Sequence, residues 1–226
     1  MQFNVIDHLD RAIAEEWGKI KKGEFYTLAN VAIKKDLYIS AMEQIYHYTR
    51  HNSINQATAA FTTNPDDTFL LRFVYKHALE ETGHEKMVVK DLRSIGHIFD
   101  PLLSKPHPAT EALIAYLYYI AIKDGAGPRL GYSYWAEDSY DHLEPILSAC
   151  RRDLGLKDKD MTFFVAHSTI DSKHSEEVRE VVREWCDTEE KLSKVVSVAR
   201  TSLYLTGEII NSVARAYVNN ELALAA

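Results

Sequence analysis

Prolines and glycines are scarce. There are six and nine in 226 residues, and most fall between long periodic segments, which points to an all-helical chain. Cysteine is scarcer still: Cys150 and Cys186 have neither CxxC spacing nor a paired framework. They read as reduced thiols of a cytosolic protein rather than as a disulfide. No uninterrupted apolar run approaches the ~20 residues that a bilayer span requires. The opening stretch, MQFNVIDHLDRAIAEEW, carries charges throughout and so reads as neither a signal peptide nor a span. Clusters of Lys and Arg are missing as well. With a net charge of −7, nucleic acid and anionic membranes are disfavoured as partners. What remains is ordinary for a soluble globular protein, 46% hydrophobic and 26% charged. The expectation is one cytoplasmic domain spanning residues 1–226.

Apolar periodicity predicts seven helices and no strand. Asn4 caps the first, which runs to about Lys22 with Gly23 as its stop. A second begins near Tyr26 or Leu28 and breaks around His51 to Asn55, and the stretch ending Thr62-Thr63-Asn64-Pro65 is a loop. Asp66 or Asp67 starts a long third helix that ends at Gly96. The fourth, from about Thr110 to Lys123, contains ALIAYLYYIAI and is expected in the middle of the bundle because it is apolar all round. The fifth follows the turn DGAGP, with a kink expected near Asp141 to Glu144 because Pro145 removes a helical hydrogen bond. The sixth covers Met161 to Cys186, and the seventh runs from a cap at Asp187 or Thr188 to about Asn220.

The sixth helix carries the chemistry. His167, Asp171 and His174 follow one another at i, i+4 and i+7. At ~100° per residue, Asp171 falls roughly 40° and His174 roughly 20° from His167, on opposite sides of it. Phe163 and Val178 continue the same stripe, so two imidazoles and a carboxylate sit on a core-facing side. Unpaired, such groups cost several kcal/mol to desolvate. A bound metal or mutual hydrogen bonding would offset that cost.

The third helix offers partners. His77, Glu81 and His84 take positions on a stripe otherwise filled by hydrophobes, and Glu81 and His84 have the i, i+3 spacing that directs a carboxylate and an imidazole at one metal. Gly83 lies between them in what reads as a helix interior, where it costs about 0.5–1 kcal/mol relative to Ala. Glu80 and Glu85 read as solvated. On the fifth helix, Glu137, Asp138, Asp141 and Glu144 are all candidates, and periodicity does not choose among them. A mixed set of imidazole and carboxylate ligands suits iron or manganese.

These residues carry a resemblance. Leu130-Gly131-x-x-Tyr134-x-x-Glu137-x-Ser139 is similar to the LGxxYxxEgS segment of the haem-oxygenase-like fold, shared with the TenA and pyrroloquinoline-quinone synthase groups. The combination of Glu81-x-x-His84, Glu137 and His167-x3-Asp171-x2-His174 resembles the haem-oxygenase-like di-iron oxidases, over roughly residues 60 to 215. The resemblance selects Glu137 over its neighbours. It implies an all-α, seven-helix bundle whose metal ligands are Glu81, His84, Glu137, His167, Asp171 and His174. Asp138 departs from the small residue usual after that Glu. The implied cofactors are two Fe(II), with O2 as co-substrate. The implied reaction is oxidative C–C or C–N cleavage, desaturation or N-oxygenation of a small amino-acid-derived molecule, with a fatty acid as the alternative. An external electron donor and a homodimer are compatible with this reading. Arg129 and Arg72 are candidates to hold a substrate carboxylate, although surface exposure is the commoner fate of arginine. Tyr116, Tyr119, Tyr132, Tyr134, Trp135 and Tyr140 make the surroundings aromatic, mostly as core.

Three rivals compete. A haem oxygenase would use His8 as proximal ligand and leave the His/carboxylate clusters unexplained. A TenA-like hydrolase would need Cys150 or Cys186 as nucleophile, and neither has a plausible base beside it. The third is a metal-binding or interaction protein without turnover.

Overall fold

The structure, a computed structural model, describes residues 4–225, the side chains of 167–173 and of 224 and 225 excepted. Its described residues form eleven α-helices and one 3₁₀ turn, with no strand among them. They are α1 (Val5–Ile20), α2 (Glu24–Val31), α3 (Lys35–Thr49), α4 (Asn52–Phe61), α5 (Thr68–Glu80), α6 (Glu85–Ser94), α7 (Pro108–Asp124), α8 (Ala126–Ala136), α9 (Tyr140–Leu154), α10 (Thr162–Trp185) and α11 (Glu189–Ala225). The expected seven become eleven because long segments are interrupted. The second divides into α2 and α3, and α4 begins at Asn52 inside the stretch expected to be a break. The third divides into α5 and α6, and the fifth into α8 and α9.

Local chemistry sets the ends that sequence placed well. Asn4 Oδ1 accepts the Asp7 N–H at the start of α1, and Thr188 Oγ1 accepts the Lys191 N–H at the start of α11. The interruption before α9 falls at Glu137 to Ser139, upstream of the expected kink. α9 therefore starts afresh ahead of Pro145, and the carbonyl that the proline leaves without a donor, that of Asp141, lies in its first turn.

The middle of the bundle is α8, not α7. All ten residues from Ala126 to Trp135 are buried, whereas α7 leaves Tyr119 53% and Ile122 61% exposed. Hydrophobicity on all sides of α7 is thus no measure of its depth; the small residues of α8 are what permit close packing. A Cβ on Gly131 would lie 2.2 Å from the Val195 carbonyl oxygen of α11. Trp135 Nε1 donates to Ser202 Oγ of the same helix at 2.9 Å. α8 also meets α4, α5, α7 and α10, so its C-terminal end opens where α5 and α10 converge.

Candidate metal centre

α5 carries Phe73, Val74, His77 and Ala78 on its buried side, and stops one residue short of Glu81. The cause is Gly83, whose φ of 94° no right-handed helix accepts. Gly83 is therefore in a turn and not in a helix interior. Within that turn the His84 N–H reaches the Glu81 carbonyl at 3.4 Å, and His84 then opens α6. The i, i+3 juxtaposition survives the break: His84 Nδ1 lies 3.2 Å from Glu81 Oε1. Glu137 ends α8 in the same manner, its N–H bonded to the Ser133 carbonyl at 3.0 Å. Both buried acids consequently stand at the carbonyl ends of helices, where a cation is favoured.

α10 is fixed from its start by the fully buried Asp91 of α6, whose carboxylate accepts from Thr162 Oγ1 at 2.6 Å and from the Phe163 N–H at 2.8 Å. Twelve residues on, it delivers His174 to the two acids. One ligand atom each from His77, Glu81, Glu137 and His174 lies within 4.8 Å of all the others, and all four residues are buried. Glu137 is the hub. Its Oε1 is 3.0 Å from His77 Nε2 and its Oε2 is 3.5 Å from His174 Nδ1. His174 Nε2 lies 3.4 Å from Glu80 Oε2.

Of the residues expected from sequence, Glu81, Glu137 and His174 come together, and His84 packs on Glu81. His167 and Asp171 lie outside the described residues. Asp138 pairs with Arg179 at the surface at 2.9 Å, Asp141 is exposed, and Glu144 pairs with Arg151 at 3.1 Å. Two residues outside the expected ligand set reach the cluster, Glu80, which reads as solvated on sequence, and His77, which shares the stripe of Glu81 and His84. Glu80 is half-buried and reaches the cluster rather than solvent. His77 enters it fully. The pattern His77-x3-Glu81-x2-His84 has the spacing of His167-x3-Asp171-x2-His174, and that echo was the available signal.

The electrostatics suit a cation. Burial pushes the Glu137 carboxyl up, but the imidazoles of His174 and His77 beside it outweigh that and hold the group at about 2. Burial also opposes ionisation of Glu81, and the His84 hydrogen bond and charge bring it below the usual carboxylate range. The Glu137 contact raises His174, and that of Glu81 raises His84 against the effect of burial. Among the described residues, Glu80 Oε2 and Glu137 Oε2 are buried without a hydrogen bond of good geometry. Carboxylate oxygens crowded beside imidazoles yet left unbonded are donor atoms that a metal ion would satisfy. The donor set fits iron.

An outer layer orients the imidazole of His77. Its Nδ1 is 3.0 Å from Gln56 Oε1, and Arg129 Nη1 donates to the same oxygen at 3.2 Å. A guanidinium only donates, so the Gln56 oxygen must face it, and His77 Nδ1 must carry a proton. Nε2 is the nitrogen turned to the cluster, an arrangement typical of metal-bound histidine.

A cavity of about 160 Å³ adjoins the centre, with His77, Glu81 and Glu137 in its wall. Tyr132, Trp135 and Tyr140 line it, while Tyr134 is committed to Asp10 at 2.6 Å and Tyr119 is exposed. Cys150 also lines the cavity, but burial pushes its thiol to about 12, which suits no nucleophile. Cys186 is likewise at about 12, and His8 is exposed on α1.

Among solved structures, the chain is similar to a domain of unknown function with a heme oxygenase-like fold from Shewanella denitrificans. The two share 40% identity with a TM-score of 0.89, over 98% of this chain and 96% of that one. A TenA homologue from P. horikoshii shares the fold at 15% identity and a TM-score of 0.76, over 94% of this chain and 99% of that one. A cadd-like protein of unknown function from Nostoc punctiforme does so at 14% and 0.71, over 92% and 96%. No curated protein matches the chain significantly. Residues 40–207, which hold every residue of the cluster, match the model of the iron-containing redox enzymes. The chain, with its haem-oxygenase-like fold, belongs to that family of iron-containing redox enzymes.

Proposed function

We propose that the protein is an O2-activating non-haem di-iron oxidase or oxygenase. Its ligands are Glu81, His84, Glu137, His167, Asp171 and His174, joined by His77 of the buried cluster, and its substrate occupies the adjoining cavity. The observation that supports this most is the buried meeting of His77, Glu81, Glu137 and His174 at the ends of α5 and α8. Iron bound there supplies the reducing electrons and the reactive centre for dioxygen chemistry. The chain's own residues do the rest. Glu137 and Glu81, held ionised, keep anionic donors in place at neutral pH, and Gln56 fixes the ring of His77. The apolar walls, among them Trp17, Phe25, Trp135 and Ile209, keep water from the reacting atoms.

The substrate is a small amino-acid-derived molecule that undergoes cleavage, desaturation or N-oxygenation. A fatty acid is the second reading, favoured by the same apolar lining. The test is dioxygen uptake by anaerobically iron-loaded protein, screened with pooled amino acids and fatty acids. Uptake accelerated by one pool is expected. Iron-loaded protein that ignores O2 with every pool would mark a metal-binding protein without turnover.

A further inference from the structure

Arg129 is the one residue of the cavity wall whose burial is hardest to account for by packing. Only 2% of it is exposed, and no carboxylate among the described residues lies within 4.0 Å of its guanidinium. Its partners are neutral. Nε donates to Asn55 Oδ1, and Nη1 donates to Gln56 Oε1 at 3.2 Å and to Ser133 Oγ at 3.1 Å. The ring of Tyr132 lies under it, with the guanidinium carbon 5.4 Å from the centroid. Nη2 has no hydrogen-bond partner among the described residues. The charges of Glu81 and Glu137 reach Arg129 only from beyond contact distance, and a buried cation with no carboxylate against it is costly, so the site gains by admitting an anion.

Its neighbours are short of acceptors in the same way. Gln56 is 2% exposed and Asn55 1%, and each spends its side-chain oxygen on Arg129. The amide nitrogens, Gln56 Nε2 and Asn55 Nδ2, are left buried without partners among the described residues. Three adjacent side chains thus hold spare N–H groups and no spare acceptor. At these three side chains an amine or guanidinium head finds no acceptor and meets the charge of Arg129; a carboxylate, with two acceptor oxygens and a negative charge, satisfies both needs. Beyond this corner and the edge formed by His77, Glu81 and Glu137, the cavity wall is mostly aromatic and aliphatic, through residues such as Phe25, Met42 and Phe163.

We propose that Arg129, with Gln56 beside it, anchors the carboxylate of a substrate whose apolar body fills the rest of the cavity. This rests on the cavity being the substrate site of the proposed oxidation. Gln56 Oε1 joins Arg129 Nη1 to His77 Nδ1, so the carboxylate is held one side chain away from the metal centre. The molecule therefore enters head first, and the carbons next to its carboxyl group, not its far end, face the site of oxidation.

The test is calorimetric titration of anaerobic, iron-loaded protein with 3-phenylpropanoate and with its neutral isostere 3-phenylpropanamide. The acid is expected to bind at least tenfold more tightly than the amide. In R129Q that ratio falls to about one, with affinity for the amide little changed. In S133D, which gives Arg129 a carboxylate of its own, the acid loses its advantage as well. Equal binding of acid and amide by the wild type, binding of neither, or a tenfold ratio that persists in either variant would overturn the anchor. Iron content is measured on the same samples. Protein that takes up no iron would sink the redox reading, whereas the acid-to-amide ratio of the metal-free chain would still report on Arg129.

Discussion

Glu81 and Glu137 end two different helices, α5 and α8, and present carboxylate oxygens within 4.8 Å of one another in the buried interior. Each adds its charge to the negative end of a helix dipole. So much negative charge out of water requires a counter-cation. In the metal-free chain the contacts that raise His84 and His174 favour their charged forms; the proposed irons serve in the working enzyme.

Iron should therefore stabilise the fold through this pair. At a free Fe(II) concentration one hundred times the dissociation constant, mass action contributes about 2.7 kcal/mol. Anaerobic melting curves of the wild type should move upward with Fe(II), and those of E137A and H174A should not. The same upward shift in both variants would place the ion elsewhere.

Gly83 is the second point of attack. At its φ of 94° an alanine costs about 1–2 kcal/mol, although the nearest atom to an added Cβ, Lys86 Nζ, is 3.7 Å away. The penalty is one of backbone conformation and not of space. G83A should lower the unfolding free energy by that amount, seen as a lower urea midpoint at unchanged slope, and should weaken iron binding because His84 follows the turn. An unchanged midpoint would mean that the turn relaxes freely.

The pH dependence of metal-free protein follows from the same contacts. Glu137 at about 2 lies below its unfolded value of about 4.3, so its contribution is present above that value and is lost as pH falls toward 2. His174 is raised above its usual 6.5, so its contribution is complete below that value and fades as pH rises through the raised one. Between about pH 4.5 and 6.5 both are in force. Melting temperature against pH should peak there for the metal-free wild type and flatten in E137Q. Iron displaces imidazole protons, so its affinity should rise from pH 6 to 7.5.

Thiol chemistry separates oxidation from hydrolysis. Cys150 and Cys186 are free, buried and shifted up to about 12. Native protein at pH 8 should show no reactive thiol toward a disulfide reagent, and denatured protein two. Rapid labelling of Cys150 in the native state would revive the TenA-like nucleophile.

The helical nature of the chain was plain in its periodicity, as were the capped starts of α1 and α11. Glu81, His84 and His174 were legible because helix spacing puts i, i+3, i+4 and i+7 on one side whatever the neighbours. Glu137 needed a family resemblance, since its acidic neighbours share its helix and only docking shows which of them is buried. The interruption at Gly83 was hidden because a glycine costs a helix about 1 kcal/mol, an amount that tertiary contacts easily override. Arg129 is a candidate on sequence, but its burial is not legible there, because it depends on Asn55 and Gln56, more than seventy residues upstream and on another helix.

The central claim is that the acids and imidazoles of the α5–α6 turn, the end of α8 and α10 hold a pair of irons. Anaerobic Fe(II) titration with quantification of retained metal tests it most directly. Two equivalents per chain are predicted for the wild type, with loss of binding in H167A and H174A. A wild type that retains no iron, or variants that retain the full complement, would contradict it.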